Sequence, residues 1–92
     1  MEFEKLADNT IQDIMERLED EGIDVDFAGS MLQLQTDNGA YIISKHSASG
    51  QIWMASPISG AKHFRYSPDK QQWVDSDGLE LLSILSKELK SS

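Results

Sequence analysis

The chain has 92 residues, a net charge of −8 and no cysteine. That length supports one modest core and so one domain, 1–92, and the missing thiols exclude disulfides, a thiolate nucleophile and any cluster held by the protein's own sulfur. No apolar run approaches the roughly 20 residues that span a bilayer; the start, MEFEKLADN, lacks a signal peptide's apolar stretch and a transit peptide's Arg-rich character, so a cytoplasmic protein is expected, with a mature organellar form as the alternative.

Residues 3–18 have helical periodicity. Phe3, Leu6, Ala7, Ile11, Ile14, Met15 and Leu18 recur at i, i+3 and i+4 and fall on one side. Asp8, Gln12, Glu16, Glu19 and Asp20 fall on the other, with Asp13 nearby, and Gly22 is placed to end the helix in the left-handed conformation. The net charge is concentrated here: the first 26 residues hold ten carboxylates against Lys5 and Arg17, whereas the remaining 66 hold six acids and six bases. A charge gathered at one end makes a directional field that attracts cations or a basic partner and repels nucleic acid.

The placement of these acids is locally unfavourable. Glu16 repels Glu19 and Asp20 at i+3 and i+4, at roughly 0.2–0.5 kcal/mol per pair. Glu19, Asp20 and Glu21 sit at the helix end where the macrodipole disfavours anions, and Asp24 and Asp26 continue the run outward on the first strand. A solvated helix face is the plain alternative, but breaches of local rules that all point one way are expected at functional sites. Carboxylate oxygens suit hard cations such as Fe3+, Ca2+, Mg2+ and Mn2+ and tolerate Fe2+. No spacing builds a closed coordination shell, so binding is expected to be weak, exposed and multi-site, as delivery or docking would need.

From residue 23 to 75 the period changes to two. Strands are predicted over 25–28, 31–35, 41–45, 51–56, 62–66 and 72–75, broken by turn signals at 29–30, 37–39, 47–50, 57–60 and 67–70; connections this short give antiparallel hairpins. If Ile52 and Met54 face the helices, then Gln51, Trp53 and Ala55 face outward, and an exposed Trp beside a Gln is an interface signature. The opposite register, with Trp53 buried, fits the pattern equally well. Trp73 reads as core or as a packed strand end. His46 and His63 lie 17 residues apart with no metal-ligand spacing and read as residues that cap or solvate strand ends. With no phosphate loop, no paired-His motif and no Gly-x-Ser-x-Gly turn, no catalytic residue is predicted.

Asp77 or Ser76 can cap a closing helix, to which Leu79, Leu82, Ile84, Leu85 and Leu89 give an apolar face. The order of helix, about six strands and helix predicts an α+β fold, a two-layer α/β sandwich with both terminal helices on one face of an antiparallel sheet.

Several segments carry a family resemblance. The run QIWMASPISGAKHFRY at 51–66, with Gln72-Trp73-Val74 and with GAYIISK at 39–45, resembles the frataxin family, including its bacterial CyaY members. The resemblance extends from the acidic first helix to the closing LELLSILSKEL helix, and the Trp-centred stretch is its specific part. Frataxins fold as two helices on an antiparallel sheet, the order derived above. The resemblance implies an iron-binding protein that regulates iron–sulfur cluster assembly or donates iron to it, without enzymatic activity beyond a weak ferroxidase. It implies weak Fe2+/Fe3+ binding on an acidic ridge of Asp8, Asp13, Glu16, Glu19, Asp20, Glu21, Asp24 and Asp26. Glu16, Glu19 and Asp20 would meet a basic patch on a cysteine desulfurase, and Gln51 and Trp53 an iron–sulfur scaffold protein. A monomer that can oligomerise with iron is expected, with no nucleic-acid or membrane partner, in a bacterial cytoplasm or, after removal of a leader, a mitochondrial matrix.

The alternatives are a ferroxidase or iron-storage protein, against which the lack of a Glu/Glu-x-x-His di-iron arrangement counts, and a metal-independent interaction module. Three departures from the family matter. Ser44 stands where many members have Asn. His63-Phe64 replaces the Arg-Tyr found after Gly-Pro-Lys in mitochondrial members, which bears on an Arg-mediated scaffold contact. The ending Lys90-Ser91-Ser92 leaves little tail over the groove between the helices, from which reduced stability is expected.

Overall fold

The computed structural model describes residues 3–28 and 31–90, with Lys90 described by its backbone alone. Helix α1 (Phe3–Asp20) is followed by six strands, β1 (Asp24–Ala28), β2 (Met31–Thr36), β3 (Gly39–His46), β4 (Gln51–Ser56), β5 (Gly60–Ser67) and β6 (Gln72–Val74), and α2 (Leu81–Lys90) closes the chain. The strands lie in chain order in one antiparallel sheet. The predicted turn at 29–30 and the tail at 91–92 lie outside the described residues.

Gly22 ends α1 as its position predicts. It adopts φ +80°, its N–H donates to the Glu19 carbonyl at 3.0 Å and the Ile23 N–H donates to the Leu18 carbonyl at 3.0 Å. This is a Schellman closure, and it sets Ile23 beside the apolar end of the helix. Along the sheet, register decides which face each side chain joins. Leu34 pairs with Tyr41, Leu32 with Ile43, Ile43 with Met54, Ile52 with Phe64 and Tyr66 with Trp73. These rows meet Ala7, Ile11, Ile14 and Leu18 of α1 and Leu81 and Leu85 of α2 in one core, so both helices cover one face, as expected.

Polar contacts also fasten the helices to the sheet. Lys45 Nζ at the end of β3 reaches Glu4 at 2.9 Å and Asp8 at 2.8 Å. The Trp73 indole N–H donates to Thr10 Oγ1 at 2.8 Å, so this Trp is core, with its one polar atom satisfied. The Glu88 carboxylate of α2, 9% exposed, accepts from Tyr41 Oη at 2.8 Å, Ser56 Oγ at 2.6 Å and Ser59 Oγ at 2.7 Å.

The start of α2 departs from the sequence reading. Its cap is Glu80, whose carboxylate accepts from the N–H groups of Leu82 at 2.9 Å and Ser83 at 3.0 Å, rather than Ser76 or Asp77. The residues before it form a turn in which Asp75 Oδ1 accepts from the Asp77 and Leu79 N–H groups. Leu79 therefore stays outside the helix and 51% exposed, and Leu81, absent from the predicted face, takes the core position. The cause is that Asp75 competes for the backbone donors by which an earlier helix would start.

Gly39, the first residue of β3, has φ +125°, and a Cβ there would lie 3.0 Å from Pro57 Cβ. Gly39→Ala combines a backbone penalty with a clash against the β4–β5 turn. We expect a loss of more than about 1 kcal/mol in chemical denaturation; a change within a few tenths would refute the close approach.

Candidate functional site

The ridge is built from the solvent side of α1 and the outward positions of β1. Asp8, Asp13, Glu16, Glu19, Asp20, Glu21, Asp24 and Asp26 are all exposed. They are not equivalent. Asp8 is held by Lys45, which also takes Glu4, and Asp13 is 3.5 Å from Arg17 one turn on. The hydrogen bond from Lys45 holds the Glu4 carboxyl below its ordinary range, and the two carboxylates, Asp8 first, raise the Lys45 ammonium above its own. Among the described residues, Glu16, Glu19, Asp20, Glu21, Asp24 and Asp26 have no ion-pair partner. Glu21 and Asp24 line a groove of about 500 Å³ between α1, α2 and the β2 end, together with Asp37, Leu18 and Leu85. Asp13 and Glu16 line a separate cleft toward β6. Asp24 and Asp26 pair with Gln35 and Gln33 and so project from the uncovered sheet face. Among the described residues no three carboxylate or imidazole groups are gathered about a single point that could hold a metal ion.

The second constellation lies on the uncovered face. Ile52 and Met54 are buried, so Trp53 and Gln51 point outward, which decides between the two registers that the pattern left open. Trp53 is nevertheless not a bare ring. His46 stacks on one side at a centroid distance of 3.9 Å and 10° between planes, and His63 stacks on the other at 4.3 Å and 17°. The indole N–H donates to Gln51 Oε1 at 2.8 Å, Ser49 Oγ donates to the same oxygen at 3.1 Å, and His46 Nδ1 lies 2.7 Å from Ser49 Oγ. Neither imidazole merely caps or solvates a strand end, as the sequence reading held. His63 is directly opposite Trp53 across β4–β5, and His46 is on its diagonal neighbour row across β3–β4, both within reach of a large ring. A four-residue turn at 57–60 would set residue 64 opposite residue 53; the actual pairing of Ser56 with Gly60 sets His63 there instead, so the turn signal did not disclose this contact, and that of His46 depends on a diagonal across β3–β4. Arg65 lies two residues beyond His63 on the same face and, among the described residues, pairs with no carboxylate.

The site thus offers a surface of unneutralised carboxylates on one edge and a pre-assembled His46–Trp53–His63 stack beside Arg65 on the face. Comparison with known proteins identifies the family of the chain that carries this arrangement. A frataxin-like domain matches residues 1–92. The mitochondrial frataxin homolog of Schizosaccharomyces pombe is 33% identical over 97 residues, covering 96% of this chain and 61% of that protein; mitochondrial frataxin of Arabidopsis thaliana is 36% identical over 81 residues, covering 79% and 43%. The chain therefore spans less than two thirds of the length of these curated relatives. Among solved structures, trimeric frataxin from Saccharomyces cerevisiae complexed with ferrous iron superposes with a TM-score of 0.85 at 29% identity, over 94% of this chain and 83% of the yeast chain. Frataxin from Psychromonas ingrahamii, of the CyaY family, superposes with a TM-score of 0.82 at 33% identity, over 98% and 88%. With its whole length matched by the family's domain and its two-helix, six-strand sandwich shared with solved members, this chain belongs to the frataxin family.

Proposed function

We propose that this chain is a non-catalytic iron-binding protein of iron–sulfur cluster assembly, holding Fe2+ or Fe3+ weakly on the carboxylates of α1 and β1 and docking on a cysteine desulfurase–scaffold complex. The observation that carries the reading is the set of six ridge carboxylates, Glu16 to Asp26, left exposed without a cation among the described residues. Hard cations take such oxygens, and a surface without a closed shell exchanges its metal readily. The ferrous complex of the yeast relative agrees with this chemistry. The same field would draw a basic surface of the desulfurase onto Glu16, Glu19 and Asp20, while Gln51 and Trp53 face the scaffold. Relatives named mitochondrial and a bacterial one leave two settings for this role, the matrix and the bacterial cytoplasm.

Amide NMR spectra recorded during anaerobic Fe2+ or Mn2+ titration test the metal half. We expect selective broadening from residues 16–26 and weaker effects at Asp8, which Lys45 already occupies. Broadening without selectivity, or none, would remove the metal reading. A pulldown on desulfurase and scaffold tests the docking half: Trp53→Ala should release the scaffold and leave metal broadening unchanged, and equal loss of both would make Trp53 a structural residue.

A further inference from the structure

We propose that the His46–Trp53–His63 stack is a proton-gated docking surface for a protein segment that presents a carboxylate, with the two imidazoles as the gate. The proposal rests on the reading of Trp53 as the scaffold-side contact and adds its regulation and the chemistry of its occupant. Both faces of the indole are covered by imidazole, and its N–H is spent on Gln51. An arriving partner therefore meets the ring edges, the imidazoles and Arg65 rather than an open Trp face. The indole stands between the two imidazoles, so they cannot chelate one metal ion, and what they can exchange with solvent is a proton. Imidazole is the side chain whose charge ordinarily changes between about pH 5 and 8.

The hydrogen bonds accommodate a charged His46. Ser49 Oγ lies within reach of His46 Nδ1, the His46 carbonyl and Gln51 Oε1. In the imidazolium both ring nitrogens are donors, so Nδ1–H is given to the Ser49 oxygen and the Ser49 hydroxyl keeps a carbonyl oxygen as its acceptor, whichever tautomer the neutral ring holds. Protonation turns each stacked imidazole into a cation lying on the indole face, where the ring quadrupole favours it. The patch then carries positive charge on both sides of Trp53 and at Arg65.

The charged groups around it bear on the sign. Asp75 and Asp77 line the cleft that His63 and Arg65 share, and Asp75 is engaged by Lys62 at 3.7 Å and by its own turn. On the His46 side, Glu4 of α1 is taken by Lys45. Asp24 and Asp26 share the open face but belong to the far edge strand, β1. The face is thus bipolar, and because Asp77 offsets Arg65 in that cleft, its β3–β5 part complements an acidic segment once the two imidazoles carry charge.

The experiment measures binding of purified scaffold protein to the wild type, His46→Gln/His63→Gln and Trp53→Ala between about pH 8 and pH 6. We expect wild-type binding to tighten about three- to tenfold on acidification, the size of one or two rim charge pairs, and the double variant, whose planar amides can still lie on the indole, to lose that increment. If the double variant tightens equally, the gate is wrong while docking stands. If Trp53→Ala binds as the wild type does, the docking reading fails and takes the gate with it. NMR of the free protein gives an arm independent of any partner: the Trp53 indole N–H signal should move with the ring protons of His46 and His63, and its indifference to their titration would overturn the gate alone.

Discussion

Glu88→Ala should cost the fold about 2–4 kcal/mol, lowering Tm on the order of 10–20 °C in a chain of this size. The carboxylate is 9% exposed and is the shared acceptor for Tyr41, Ser56 and Ser59. Truncation leaves those hydroxyls, one of them on the fully buried Tyr41, without their acceptor, and the penalty for an orphaned buried donor exceeds the net worth of the bond it made. The backbone carbonyl of Glu88 accepts from Asn38 Nδ2 at 3.0 Å, so the same turn of α2 also anchors the β2–β3 connection. The sign of the pH dependence follows from the charge. Burial opposes ionisation most strongly, but the hydroxyls of Ser56, Ser59 and Tyr41 and the charge of Lys62 outweigh it and hold the Glu88 carboxyl below its ordinary value. A carboxylate whose folded pKa is depressed binds fewer protons folded than unfolded. Its stabilisation is complete above about pH 4.5 and is lost as pH falls through the folded value. Asp75, held low by the N–H groups of Leu79 and Asp77 against its burial and by Lys62, acts in the same direction. Glu88→Gln, which cannot lose a proton and keeps the shape, should be less harmful near neutrality and should flatten the acid limb of stability against pH. Urea denaturation across that range measures both variants; a wild-type-like acid limb in Glu88→Gln would remove Glu88 from the account.

Glu88 also shows what was hidden in the sequence. Its three hydroxyl partners lie 47, 32 and 29 residues away, and no local pattern joins them. By contrast, α1, its stop at Gly22 and the strand order were legible because periodicity, turn residues and a left-handed glycine are local properties. The start of α2 was misread for a local reason too: Asp75, Ser76, Asp77 and Glu80 can all cap, and only the turn closed by Asp75 shows which one does. At the candidate site the split is the same. The ridge was legible as a charge imbalance with helical phase, whereas the differences within it come from Lys45, which arrives from β3. Trp53 was legible as an oddity, but its two flanking imidazoles required the register of β3, β4 and β5. The departure at His63 gains meaning there, since the residue that replaces Arg still stacks on Trp53 and a guanidinium, Arg65, stands two positions along the same face.

Neutralising the heart of the ridge should raise stability while removing metal binding. In Glu16→Gln/Glu19→Gln/Asp20→Asn, the i,i+3 and i,i+4 repulsions disappear, each worth roughly 0.2–0.5 kcal/mol, and the anions at the C-terminal end of α1 no longer oppose the macrodipole. None of the three side chains is buried or ion-paired among the described residues, so nothing in the core is lost. Glutamine and asparagine keep most of the volume and the helix propensity of what they replace. Tm should therefore rise by several degrees, and the gain should shrink at high salt, because surface repulsion is screened within about 10 Å at 0.1 M ionic strength. The same variant should lose the selective Fe2+ and Mn2+ broadening of α1 and bind the desulfurase less tightly, with slower association as the steering field weakens. Thermal unfolding at two salt concentrations beside the metal titration separates the possibilities. Stabilisation with loss of binding identifies the ridge as a surface kept against the fold's own interest. Unchanged metal binding would move the site away from Glu16, Glu19 and Asp20. A fall in Tm would mean that these carboxylates support the helix, and the case for a functional ridge would lose its physical basis.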